Sequence, residues 1–270
     1  MLSLEEVFEV RKPIIGVVHL LPLPGSPKYD HKFEEVTKRA LEDAKAYVEG
    51  GVDGLIIENF GDVPYFPDRV GPETVAAMAV IALRVREEVD IPFGVNVLRN
   101  DAIAALSIAH ATGGSFIRVN VLTEVMVTDQ GLIRGVAHKL LRYRKLLGAE
   151  KVRIFADVHV KHAKPLMKRP VELSAKDLVQ RGLADAVIVT GEITGAEVEL
   201  DKVVRVKEAV KSTPVLVGSG INAENVCKYL KVCDGVIVGT SVKKGCLTEN
   251  PVDVDRVRKL VRVARESLRA

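Results

Sequence analysis

The chain has 270 residues, 47% of them hydrophobic and 28% charged, which suits a globular protein with a large core and is close to the ~250 residues of one (β/α)8 barrel. Its 39 basic and 36 acidic residues leave a net charge of +3, and no basic run carries interleaved aromatics, so nucleic acid is not an expected partner. No apolar run of about 18 residues predicts a transmembrane segment. The N-terminal stretch, acidic at Glu5, Glu6 and Glu9, lacks the basic and apolar regions of a signal peptide. Cys227, Cys233 and Cys246 form no CxxC pair and fit a reduced, cytoplasmic chain. Trp is absent, Gln occurs only at 130 and 180, and Val, Glu, Lys and Arg are abundant, a balance that leans toward a thermophile.

In chain order, Ser3–Val10 reads as a short helix at the bottom of the barrel, and Ile14–His19 as the first strand. The Pro-rich stretch Leu21–Pro27 excludes helix and central strand. A helix over Phe33–Glu49 is stopped by Gly50-Gly51. Gly54–Glu58 is the second strand, and Gly71-Pro72-Glu73 opens the next helix with Pro in its first turn. Pro92–Val97 is the third strand, followed by a helix capped at Asn100 or Asp101 and ended at Gly113-Gly114. Ser115–Asn120 is the fourth strand; a long loop, Val121–Arg134, precedes a helix over 135–147. Val152–Val158 is the fifth strand; a second long loop, His159–Leu173, leads to a helix opened by a capping box at Ser174-x-x-Asp177.

The sixth strand is Ala186–Thr190 and its helix Glu199–Lys211. Val215–Val217, a helix over Asn222–Leu230, Gly235–Val238 and a one-faced helix over Val254–Leu268 complete the pattern. The basic residues from Arg256 to Arg269 read as that last helix's solvated face. Eight strand-like runs alternating with helices suit βαβ units, and the count of eight favours a closed (β/α)8 TIM barrel over a doubly wound sheet. One domain over 1–270 is expected, and the apolar residues of Tyr65–Val70 or exposed helix faces are candidate contacts for a homo-oligomer.

Active sites of such barrels lie at the C-terminal ends of the strands. Those ends are His19, Glu58 with Asn59, Asn96, Asn120, Asp157, Thr190, Gly218 and Gly239. Asp157, His159 and Lys161 alternate, so an extended chain would place all three on one face and His162 on the other. Such a group suits proton transfer, with Lys161 or Asp157 as base and His159 as acid; a Schiff base on Lys161 and an ion-paired structural cluster are the competing readings. His19, Glu58, Asp157 and His159 are residue types that suit a divalent metal, although no HxH or HExxH spacing supports one and no cofactor is otherwise expected. Asn96 and Asn120 suit ligand hydrogen bonds or packing across the barrel. Arg118 shares the parity of Asn120 and either pairs with an acid in the barrel or reaches an anionic substrate.

The runs Val215–Gly220 and Gly235–Thr240 both end in Gly plus a hydroxyl. Gly218, Ser219 and Gly220, with Gly239, Thr240 and Ser241, supply N–H groups and hydroxyls for a phosphate cradle, backed by a helix N-terminus capped at Asn222. Thr190 extends the cradle, and Lys243 and Lys244 are candidates for added positive charge.

Several blocks together resemble the BtpA family: Ile15–Pro27, Glu58-Asn-Phe-Gly-Asp62, Arg118-Val-Asn120, Thr128-Asp-Gln-Gly131, Ala156-Asp-Val-His-Val-Lys-His-Ala163 and Val217-Gly-Ser-Gly220. The resemblance covers nearly the whole chain and implies a TIM-type barrel. It implies two kinds of function: the photosystem I biogenesis role that names the family, and, in organisms without photosynthesis, enzymes encoded beside sugar-metabolism genes. It carries over no catalytic residue. Residues and resemblance together lead to the expectation of an enzyme on a small phosphorylated metabolite, using acid/base or aldol-type chemistry, with an assembly or stability factor as the alternative.

Overall fold

The computed structural model describes residues 3–269. Eight parallel strands close a barrel: β1 (Ile14–His19), β2 (Gly54–Glu58), β3 (Phe93–Asn96), β4 (Phe116–Val119), β7 (Arg153–Val158), β9 (Ala186–Val189), β10 (Val215–Val217) and β11 (Gly235–Val238). Their order around the barrel is their order in the chain, and β1 closes it by pairing with both β2 and β11. Helices α2 (Phe33–Glu49), α3 (Pro72–Glu88), α4 (Ala102–Thr112), α5 (Ala137–Leu146), α6 (Val171–Gln180), α7 (Leu200–Val210), α8 (Val226–Leu230) and α9 (Val254–Arg269) follow the strands in turn. Among the described residues no helix is long and apolar enough to cross a membrane.

These strands are Val- and Ile-rich because both faces are buried, one against helices and one in the barrel. The inward face is layered. At the bottom, Phe8 from α1 (Glu5–Phe8) plugs the barrel against Phe116 and Phe155, which stack with centroids 4.6 Å apart. Ile15, Val17, Ile56, Ile188, Leu216 and Ile237 complete this apolar layer. Two residues further along several of these strands, parity delivers His19, Glu58, Asn96, Arg118 and Asp157, all buried. The polar layer therefore rests on a packed floor and opens only upward.

The two long loops differ from their expected form. Val121–Arg134 contains a hairpin, β5 (Val125–Thr128) and β6 (Gly131–Arg134), and the second loop adds β8 (Ala163–Pro165) as a third antiparallel strand. Helix α6 starts at Val171, so Ser174 lies inside it rather than at its cap, and Asp177 pairs with Arg169 at 2.8 Å. Residues 222–225 form a turn, in which Asn222 Oδ1 accepts from the N–H groups of Glu224 and Asn225. The helix expected from Asn222 shrinks to the five residues of α8, too short for a useful macrodipole.

Candidate active site

A cavity of about 490 Å3 opens at the C-terminal ends of the strands. His19, Glu58, Arg118, Lys161, Gly218–Gly220 and Gly239–Ser241 line it, so these expected site residues meet at one place.

Beneath it lies a buried ion network. Arg118 donates two hydrogen bonds to Asp157, from Nε at 3.2 Å and Nη2 at 3.0 Å, and Asn120 Nδ2 donates a third at 2.7 Å. Arg118 Nη1 also stands 3.8 Å from Glu58, which accepts from Asn96 Nδ2 at 2.6 Å. Burial opposes the charge on Arg118, but Asp157 and Glu58 raise its pKa above the ordinary value. Asp157 accepts three hydrogen bonds from Arg118 and Asn120, which hold it in place rather than leave it a free base. Asn96 and Asn120 serve these carboxylates and do not line the cavity.

Lys161 is different. Its side chain lies at the cavity wall, 9% exposed, and its Nζ has no hydrogen-bond or ion-pair partner among the described residues. Its backbone is pinned instead: its N–H donates to Thr190 Oγ1 at 2.9 Å and its carbonyl accepts from Arg99. Burial pulls the Lys161 amine down to about 8, with Glu58 and Asp157 opposing and Arg118 and Arg99 assisting. His19 packs edge-on against Phe60 and stands 3.8 Å from Glu58. Burial, then Lys243, Lys161 and Arg118, hold its pKa well below the usual histidine value, so it is neutral at neutral pH. A Cβ at Gly239 would meet His19 Cε1 at 2.8 Å, which explains why glycine stands there.

The cradle is built from loops. The backbone N–H groups of Ser219, Gly220, Thr240 and Ser241 donate to no carbonyl among the described residues. Gly220 has φ +67 and turns the chain there. Ser219 Oγ is buried without a partner, whereas Thr240 Oγ1 meets Thr248 Oγ1 at 2.9 Å and Ser241 Oγ donates to the Ile221 carbonyl at 2.5 Å. Only one of the three expected hydroxyls is therefore free.

Other expectations are corrected. β7 ends at Val158 and His159 has φ 49, so the alternation from Asp157 to Lys161 breaks. His159 turns away from the cavity, its Nε2 meeting Ser174 Oγ at 2.9 Å and Glu124 at 3.9 Å. His162, also at positive φ, lines a second cavity instead of pointing away. Asn59 is consumed by the backbone of Leu98 and by Asp62. Thr190 is fully buried and braces Lys161 and Lys202. Lys243 is fully buried against Asp43 at 2.7 Å and does not line the cavity. Among the described residues no three His, Cys, Asp or Glu side chains group closely enough to hold a metal ion: Arg118 stands between Glu58 and Asp157, and His159 lies elsewhere. His159→Ala is expected to cost on the order of 1 kcal/mol in stability, which urea unfolding checks.

Three basic residues escaped the sequence reading. Arg256 and Lys259, on α9, line the first cavity rather than lying wholly on a solvated face, and only the docking of α9 beside the cradle reveals this. Arg99, on the loop after β3, is 4% exposed and lines the second cavity.

Comparison with known proteins adds the following. The model of the BtpA family matches residues 10–266. An uncharacterized protein of Pyrococcus furiosus is 51% identical over 253 residues, 94% of this chain and 95% of that protein. The photosystem I biogenesis protein BtpA of Synechocystis is 45% identical over 269 residues, 100% of this chain and 93% of that one. Among solved structures, thiamine phosphate pyrophosphorylase from Pyrococcus furiosus superposes with TM-score 0.59 at 16% identity, covering 96% of this chain and 97% of that one. N-(5'-phosphoribosyl)anthranilate isomerase from the same organism gives 0.57 at 18%, covering 94% and 99%. At these identities the likeness establishes the barrel fold alone.

Proposed function

The chain belongs to the BtpA family, and from that premise and the geometry of the mouth we propose an enzyme acting on a small phosphorylated metabolite. The observation that carries the proposal is the cradle: among the described residues the N–H groups of Ser219, Gly220, Thr240 and Ser241 donate to no carbonyl, the Ser219 hydroxyl has no partner, and these residues line one cavity. Such groups cost stability unless something accepts from them, and a phosphate has the oxygens to do so. The names of the two structural neighbours, a phosphate pyrophosphorylase and a phosphoribosyl isomerase, agree with that use of the fold.

Lys161 is the proposed reacting group. An amine near pKa 8 is partly neutral under mildly alkaline conditions and serves as a base or as a nucleophile toward a carbonyl. Glu58 and neutral His19 stand beside it as hydrogen-bonding and proton-transfer partners. Arg118 and Asp157 hold Glu58 and the floor in place. The protein would therefore act by acid/base or aldol-type chemistry, as an isomerase, lyase or hydrolase.

A thermal-shift screen of phosphorylated metabolites tests this. A ligand at 100 times its Kd adds about 2.7 kcal/mol of stability. Ser219→Asp, which sets a carboxylate where the phosphate belongs, is expected to weaken phosphate-ester binding about a hundredfold. Unchanged affinity in that variant removes the cradle from the account. The name of the Synechocystis relative favours a second reading, an assembly or stability factor; a stoichiometric protein partner retained by the Ser219 and Lys161 variants would support it.

A further inference from the structure

A second cavity, of about 540 Å3, meets the first at Glu58, Lys161 and Thr194. Phe60, Tyr65 and Leu98 form its walls, and the turn of the β5–β6 hairpin, Asp129 and Gln130, forms its rim. Tyr65 is held by its hydroxyl, which donates to the Phe60 carbonyl at 2.7 Å. Arg99 is the group in it that the chemistry above leaves unused.

Arg99 is 4% exposed, and among the described residues its guanidinium has one acceptor, the Lys161 carbonyl, reached from Nη2. No carboxylate lies within ion-pair distance of it among the described residues. The acids nearest in its field are Asp157, Glu58 and Asp129. Asp157 is held by Arg118 and Asn120, Glu58 by Asn96, and Asp129 accepts from Gln130 Nε2 at 2.5 Å. A buried guanidinium without an acid is costly, and its remaining N–H groups form a fork that matches a carboxylate.

We propose that the second cavity binds a carboxylate of the same substrate, so that the substrate class is a phosphorylated carboxylic acid. Its phosphate lies in the Ser219–Thr240 cradle, its carboxylate on Arg99, and the carbons between them pass Lys161. Phe60 and Tyr65 offer ring faces against which that carbon chain packs. This deepens the phosphate reading and rests on it.

Two ligand pairs, each differing at the far end only in carboxylate against alcohol, test the inference by calorimetry: 6-phosphogluconate with sorbitol 6-phosphate, and 3-phosphoglycerate with glycerol 3-phosphate. The acid of the better-fitting pair is expected to bind about tenfold or more tighter than its alcohol. Arg99→Met is expected to erase that preference, so that the acid binds no tighter than its alcohol, and its circular dichroism and cooperative thermal unfolding report that the variant is folded. Equal affinities within both pairs in the wild type, or a preference that survives in Arg99→Met, overturn the second-anion site while the cradle stands. Binding by no member of either pair overturns the phosphate reading, and this inference with it.

Discussion

Replacing Lys161 by methionine is expected to stabilise the protein by about 3 kcal/mol at pH 7 and to remove turnover of the phosphorylated substrate. The amine is buried, lacks a partner among the described residues, and has its pKa lowered from 10.5 to about 8. Between those two pH values the unfolded chain holds a proton here that the folded chain does not. Stability from this group therefore rises with pH through that window, and the full penalty is present below about pH 8. Methionine matches the stem of lysine and removes the charge, so the core is neither emptied nor overfilled. Urea unfolding of both proteins from pH 7 to pH 11 checks the prediction: the advantage of the variant should shrink as pH rises. An unstable variant at pH 7 would mean that Lys161 is a structural ion-pair member. On the activity side, kcat/KM of the wild type should rise with pH along a limb near 8.

Asp157→Ala is expected to destabilise by about 3–5 kcal/mol. It removes the acceptor of two Arg118 bonds and one Asn120 bond and leaves a fully buried guanidinium facing only Glu58, 3.8 Å away. Because the loss comes from stranding Arg118, a second substitution, Arg118→Met, should recover a large part of it. That non-additivity separates a network from two independent contacts. Full additivity in a double-mutant cycle by denaturant unfolding would contradict the network.

The barrel was legible in the sequence because each strand is a short, doubly buried apolar run ended by a polar or glycine residue, from Ile14–His19 to Gly235–Val238. His19, Glu58 and Asp157 were singled out as strand ends and Arg118 by its shared parity with Asn120, and all of them are buried in the structure. Parity failed one step beyond the ladder: His159 sits at φ 49, where alternation has no meaning, and that local turn sends His159 out and brings His162 in. The β5–β6 hairpin was hidden because its strands are short and half exposed, as at Val127 and Leu132. Arg99 carried no signal of its own. What sets it apart is visible only in the assembled barrel: it is buried, and no carboxylate lies at ion-pair distance from it among the described residues. Lys243 misled in the opposite sense, since its sequence distance from Asp43 concealed a buried ion pair.

If Ser219 and Thr240 hold a phosphate, crystals soaked in orthophosphate or a sugar phosphate will show tetrahedral density within hydrogen-bond reach of the N–H groups of Ser219, Gly220, Thr240 and Ser241, with the Ser219 hydroxyl turned toward it. Phosphate bound away from Ser219 and Thr240, with those groups left unoccupied, would contradict the cradle.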